Sequence, residues 1–334
     1  MRTATFEKNG SITYPDYITF CFNPNKIKVK TVNNVTVTIG EGGMSYKDSR
    51  LAYNNVVEVD ISKYLQSFFN PRSILTSTEI NIKVETKEDT LNFDILCIWG
   101  AMNIGEVFNA SHKVIWFRKF PFTFSMYISD NARMYTRYDS TQYVENENLG
   151  TGLVRIDPAI VFPDANRFGV VRLDEEIISS VFDYTFDNTF NPVGNGTIIN
   201  RLVIDDSECG MYLRWIDRHG FYQYYLFQIG DKIQQSQNSG EQLSLDNEGV
   251  TYDYGVTRYQ GKVTQVTIKA CAVLVDQDIF KMLLTLNTSP VVDLYVDNSW
   301  IPVNIQPGTV TNTEKPLQDF EITVVLPEIM SQKL

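Results

Sequence analysis

Apolar and polar residues alternate with a period of two along much of this chain, in segments dominated by β-branched and aromatic residues. The clearest are Lys26–Ile39 (KIKVKTVNNVTVTI), Glu79–Glu85 (EINIKVE), Lys262–Ala270 (KVTQVTIKA) and Glu321–Leu326 (EITVVL). A strand sends successive side chains to opposite faces, so each segment predicts a strand with one face in a core. The turn residues agree. Asn33-Asn34 divides the first segment, and Asn195-Gly196 tolerates the positive φ that a two-residue hairpin turn demands. The chain is predicted to be mainly β.

Two short helices interrupt that pattern. Asp60 is placed to cap a helix over 61–69, where Ile61, Leu65, Phe68 and Phe69 share a face and Pro71 ends the run. Asp276 is placed to cap a second over 277–286, with Ile279, Met282, Leu283 and Leu286 on one face and Pro290 beyond. Each follows a strand ending in Val-Asp (VVEVD, AVLVD) and precedes another strand. Strand, helix, strand near each end predicts two β-sandwich or split-barrel-like domains, each with one short helix between strands. The polar stretch from Ser129 to Gly152 is the expected boundary, with domains 1–149 and 150–334. A second polar segment, Gln234–Gly249, reads as a long exposed loop or a hairpin tip.

Two regions carry more large apolar groups than a half-buried hairpin needs. In Cys209–Ile229 (CGMYLRWIDRHGFYQYYLFQI), Met211–Asp217 reads as a strand, Arg218-His219-Gly220 as a turn and Phe221–Ile229 as the return strand. Met211, Leu213 and Trp215 fall on one face, and Tyr212, Arg214 and Ile216 on the other. A strand apolar on both faces belongs in a core or a subunit interface. The alternative is an aromatic platform for sugar rings built from Trp215, Tyr222 and Tyr224. The second region, Phe93–Tyr127, holds Trp99, Trp116, Phe117, Phe120, Phe122 and Phe124, which are interface candidates between domains or subunits.

Charge narrows the partners. Twenty-nine basic against 40 acidic residues leave −11, which repels phosphate backbones and anionic membranes, so neither sequence-specific nucleic-acid binding nor membrane insertion is expected. The longest apolar run, near Ile95–Met102, is too short to span a bilayer. MRTATFEKNGSITYPDY carries charges where a signal peptide needs an apolar stretch, so export by that route is not expected. Cys21, Cys97, Cys209 and Cys271 are widely spaced, without a CxxC pair, and read as four buried thiols. The Asn-x-Ser/Thr triplets at Asn34, Asn109, Asn195 and Asn287 are what an Asn- and Thr-rich chain gives by chance.

Catalysis has little to stand on, and the chain is read as a non-enzyme without metal or cofactor. His112 and His219 are the only imidazoles; no Gly-x-Ser-x-Gly elbow accompanies His112, and His219 lies in a turn sequence. The densest acidic clusters are Asp205, Asp206, Glu208 and Asp174, Glu175, Glu176. They read as solvated faces, no calcium-loop pattern is present, and a depolymerase acting through them is the remote reading. Gly40-Glu41-Gly42-Gly43 lacks dinucleotide spacing and reads as a plain hairpin turn.

Trp99-Gly100-Ala101 through Gly105-Glu106, then Trp116-Phe117-Arg118-Lys119-Phe120-Pro121-Phe122-Thr123-Phe124, resemble a group of proteins in phages and prophages of gut Bacteroides-type bacteria. The Gly210–Asp217 hairpin and the closing pattern Ser289-Pro290, Val291–Tyr295, Trp300–Val303 have the same character. The resemblance covers most of both halves. It implies a virion or tail-associated structural protein, made in the host cytoplasm and assembled into the tail. The strand–helix–strand units are also similar to the tail-tube and baseplate-ring fold. Expected partners are further copies of the chain in a ring, and other tail proteins. A glycan-binding module or adhesin is the second reading.

Overall fold

In the computed structural model, residues 1–8, 10–41, 43–70, 76–103, 112–128, 134–137, 143–146, 152–157, 175–181, 185–186, 192–193, 196–244, 257–313 and 315–327 are described. The alternation in 26–39 folds as two strands from different sheets. β1 (Arg2–Phe6), β2 (Gly10–Tyr14), β4 (Lys26–Lys30) and β7 (Val56–Asp60) form one antiparallel sheet in the order β1-β2-β4-β7. A five-stranded sheet has the order β3 (Ile18–Phe20), β9 (Thr90–Ile98), β8 (Ser77–Glu85), β5 (Val35–Glu41) and β6 (Met44–Arg50). The inward residues of both sheets share one core, with Ile27, Val29, Val57 and Val59 from the first and Val37, Ile39, Ile80 and Ile82 from the second. This is a β-sandwich, closed because each sheet has one apolar face to bury. β5 and β6 pair as the expected hairpin, with Glu41 opposite Met44.

α1 (Ser62–Ser67) follows β7 and sends Leu65 into the sandwich core beside Ile61 and Phe69. It is shorter than the expected 61–69, and Asp60 is not its capping residue. Ile61 occupies that position, while the Asp60 carboxylate accepts from the Ser62 N–H (2.9 Å) and hydroxyl (2.6 Å) one residue earlier than a cap would. The Ile61 backbone N–H is drawn instead to the Asn25 carbonyl.

β10 (His112–Phe117), β12 (Met134–Arg137), β13 (Tyr143–Asn146), β15 (Glu175–Val181) and β18 (Gly196–Asp205) make a further sheet in the order β10-β18-β15-β12-β13. β11 (Phe124–Ile128) pairs with β14 (Gly152–Ile156), and β16 (Thr185–Phe186) with β17 (Pro192–Val193).

The last six strands close a barrel in the order β19 (Met211–Ile216), β20 (Tyr222–Ser244), β21 (Thr257–Asp276), β24 (Leu317–Val325), β23 (Ser299–Ile305), β22 (Val292–Val296). α2 (Gln277–Leu284) links β21 to β22. It is capped as expected, the Asp276 carboxylate accepting from the Ile279 N–H at 2.9 Å. Ile279, Phe280, Leu283 and Leu286 are buried, and the Phe280 ring meets Phe320 edge-on at 5.6 Å. Phe280 takes the buried place expected of Met282, which is half-buried.

The protein is mainly β, and its two described helices each lie between strands, α1 after β7 and α2 after β21. By compactness the chain divides into Met1–Ser207 with Ile216–Gln223, and Glu208–Trp215 with Tyr224–Leu334. The boundary expected at Gly150 and the turn at Asn195 lie outside the described residues. So do Asn109, Asp174 and part of the polar segment 234–249.

Candidate assembly surface

β20 and β21 have 23 and 20 residues, far longer than the barrel requires. β19, their neighbour on one side, has six, and its start passes so close to β20 that a Cβ on Gly210 would lie 2.5 Å from the Phe227 carbonyl oxygen. Burial stops there: Tyr224 to Phe227 are buried, whereas Gln228 to Asn238 are exposed. On the other side β24 pairs with β21 only from Thr267 onward, with one further bond from the Leu326 N–H to the Val266 carbonyl (2.9 Å). Beyond that point the two strands run on as a ribbon of their own, Gln235 opposite Gln265 through Ser239 opposite Gly261, then Gln242 opposite Tyr259 to Ser244 opposite Thr257. Residues 234–244, expected as a loop or hairpin tip, are strand.

Two irregularities frame the ribbon's regular stretch, one between Ile229 and Lys232 and one between Ser239 and Gln242. The second contains Gly240 at φ +80°, and a Cβ there would meet the Gln260 side chain at 2.6 Å. Such bulges twist a strand and end regular pairing. Between them, Ile233–Ser239 (IQQSQNS) carries neither charge nor proline on an outer edge that no described strand covers. Edges are ordinarily protected by charges, proline or short length.

The sequence-predicted hairpin is present. Met211–Ile216 is β19, the turn occupies Asp217–Phe221, and the return strand begins at Tyr222. The buried Asp217 carboxylate holds the turn, accepting from the His219 N–H (2.9 Å), the Phe221 N–H (3.0 Å) and Gln223 Nε2 (2.9 Å). Gly220 has φ +82°, where a Cβ would meet Ile98 at 2.6 Å, and a Cβ on Gly100 would collide with the Arg218 carbonyl. The Ala101 N–H donates to that carbonyl. The Trp99-Gly100-Ala101 and Arg218-His219-Gly220 motifs are thus two sides of one backbone contact that only glycine permits.

The aromatic candidates are placed inside. Trp215 is fully buried with its indole N–H on Thr285 Oγ1 (2.8 Å), and Tyr222 and Tyr224 are buried too. The Arg155 guanidinium covers the Tyr222 ring at 4.5 Å, and Tyr224 stacks on Tyr212 at 6.0 Å. Rings so enclosed offer no open face to a sugar, which removes the platform that stood as the alternative to a core or interface. Trp300 completes the Tyr212–Tyr224 cluster and carries the Arg214 guanidinium 4.2 Å above it, while Arg214 bonds the Asp293 carboxylate at 2.9 Å. Burial pushes the Tyr212 hydroxyl well above its ordinary pKa.

Trp116, Phe117 and Phe122 are buried within the chain, so they are core side chains and not an open subunit surface; Phe120 and Trp99 are half-buried. Trp99 meets the exposed Phe22 edge-on at 5.4 Å. The side chain of Phe124 lies outside the described residues, as do those of His112, Glu175 and Glu176. The large apolar count belongs to a chain with several sheets to pack.

The acidic candidates are occupied structurally. Arg118 grips Asp206 with two bonds, Nε to Oδ1 at 2.7 Å and Nη2 to Oδ2 at 2.6 Å, and this pairing holds the Asp206 carboxyl below its usual range. Asp205 accepts from the Ser207 N–H at 2.8 Å. Among the described residues no three of His, Cys, Asp and Glu come together as metal ligands, and no helix is long and apolar enough to cross a membrane. No cysteine is in a disulfide. Cys21 and Cys97 are buried as expected, but Cys271 is half-buried and Cys209, expected inside, is exposed. It directly precedes the glycine at the start of β19, where the chain is still outside the sheet.

No family model and no curated protein matches the chain. Among solved structures, the I-band fragment I67-I69 from titin is similar at 6% identity and a TM-score of 0.18, over 81% of this chain and 94% of that one. An E-to-A mutated variant of the same three titin domains gives 7% and 0.19 over the same shares. Similarity at that level carries no argument about fold or function.

Proposed function

We propose that this protein is a non-enzymatic structural component of a phage tail or baseplate that works by assembling with copies of itself and with other tail proteins. The sequence resemblance supplies the phage setting, and a ring is the form of assembly it implies. The observation that carries the assembly reading is the ribbon of β20 and β21. A two-stranded hairpin is marginal in water on its own, and this one extends its regular pairing well past the barrel with both outer edges uncovered by any described strand. A third strand from another molecule would add backbone hydrogen bonds without disturbing the barrel.

The test is light scattering of the full-length protein beside a variant in which residues 235–265 are replaced by Asn-Gly, joining Gln234 to Val266 across a tight turn. The full chain is expected to be oligomeric, with closed rings by negative-stain imaging, and the shortened chain to have fewer copies per particle. The same number of copies per particle in both chains would overturn the reading. The adhesin reading loses the residues it relied on, because Trp215, Tyr222 and Tyr224 are buried.

A further inference from the structure

Of the ribbon's two outer edges, that of β20 is the barer. Along 233–239 it reads Ile-Gln-Gln-Ser-Gln-Asn-Ser, whereas the β21 residues opposite it, 261–267, include Lys262. An edge intended for a partner of opposite charge would display charge. One intended for its own copy cannot, because in an antiparallel pairing of identical strands the residues near the centre meet themselves or their neighbours, and like charges directly opposite one another destabilise a sheet. The requirement is stricter in a chain of −11, whose copies repel wherever charge is displayed. Such a self-pairing edge must be neutral at its centre and carry opposite signs at equal distances on either side. This edge does so. Lys232 and Glu241 flank it symmetrically about Ser236-Gln237, and its middle is almost entirely Gln, Asn and Ser, whose side chains hydrogen-bond along paired identical strands.

We propose that Ile233–Ser239 is a self-pairing edge, on which β20 of one copy adds antiparallel to β20 of a second and merges two ribbons into a four-stranded sheet. The pairing centres on Ser236 opposite the partner's Gln237 and leaves Lys232 and the partner's Glu241, of opposite sign, just beyond the paired stretch. The bulges at its two ends limit regular pairing to about six residues, Gln234 to the partner's Ser239 at either end, since regular pairing cannot run through them. The contact is isologous, so it closes a dimer or joins two rings face to face, and it does not by itself close a ring. This inference rests on the assembly reading and names the surface and the partner.

The experiment uses the full chain and two double variants, Ser236→Lys with Gln237→Lys and Ser236→Glu with Gln237→Glu, each measured by analytical ultracentrifugation over a concentration series. Each variant places like charges opposite one another twice, and each alone is expected to associate at least about tenfold more weakly than the wild-type chain. An equimolar mixture is expected to recover the association by pairing basic with acidic ribbons. Two added lysines bring the net charge from −11 to −9, so weakened association of the basic variant cannot arise from overall repulsion. Recovery on mixing also separates lost pairing from lost fold. If both variants associate as the wild-type chain does, or mixing restores nothing, the self-pairing edge is refuted while the assembly reading stands. A wild-type chain that stays monomeric throughout the series refutes both.

Discussion

Arg214 and Asp293 sit directly opposite each other on β19 and β22, with Trp300 under the guanidinium. Asp293 is buried, so removing its partner leaves a poorly solvated carboxylate without its cation. Arg214→Ala is expected to cost about 3 kcal/mol in urea unfolding, and Arg214→Lys to recover only part, because a lysine cannot both stack on the indole and bond the carboxylate. Asp206 differs in being exposed. Its bonds to Arg118 depress its pKa below the ordinary 3.8. A depressed folded-state pKa contributes stability above the unfolded value that is lost as pH falls through the folded one, so the contribution is present at neutral pH and disappears in the acid range below about pH 4. Arg118→Gln is expected to flatten that part of the stability–pH curve and leave the rest unchanged. Thiol accessibility follows burial: a native thiol assay is expected to label Cys209 first, with Cys21 and Cys97 reacting only after unfolding.

Among the elements, the Asp217–Phe221 turn is the one most tightly specified by its residues. Gly220→Ala is expected to lower the melting temperature, since the left-handed φ alone costs about 1 kcal/mol and the methyl would also displace Ile98. α2 depends on its cap, and Asp276→Ala is expected to cost about 1 kcal/mol by chemical denaturation. The two helix predictions rested on the same signal, an Asp before an apolar stripe, and only one cap formed. Asp60 and Asp276 both end paired strands, but Asp276 is itself the N-cap and reaches Ile279, whereas the N-cap of α1 is Ile61, whose N–H is bonded to the Asn25 carbonyl, so Asp60 lies one position too early and reaches only Ser62. That difference goes with a bond to the distant Asn25, which no local pattern contains. The ribbon escaped the pattern for the opposite reason. Period two marks a strand only where one face is buried, and Gln234 to Asn238 are exposed on both.

At the scale of the whole molecule, the segment 208–334 contains all six strands of the barrel together with α2. It is expected to fold alone with a cooperative thermal transition. The complementary segment 1–207 lacks the turn that packs against Gly100, and is expected to melt at lower temperature than the same region in the full chain, as judged by differential scanning calorimetry. The aromatic excess is likewise settled at this scale. Composition announces that many large rings must be covered, and the fold covers Trp116, Phe117, Phe122, Trp215, Tyr222 and Tyr224 within a single chain.

Local patterns by themselves determined the mainly β character, the two helices between strands, the division of 26–39 into two strands, the β5–β6 hairpin and the Met211–Ile229 hairpin. Each of these is written in contacts between residues close in sequence: alternation, a capping side chain, a glycine at positive φ. Tertiary structure decided what depends on distant residues. It decided that a strand apolar on both faces is covered within its own chain, that Gly100 and Gly220 meet, that Asp206 belongs to Arg118, and that β20 and β21 outrun every neighbour in the barrel. Pairing length and coverage are properties of which strands lie side by side, and a hydrophobic pattern records only that a face is buried, not what buries it.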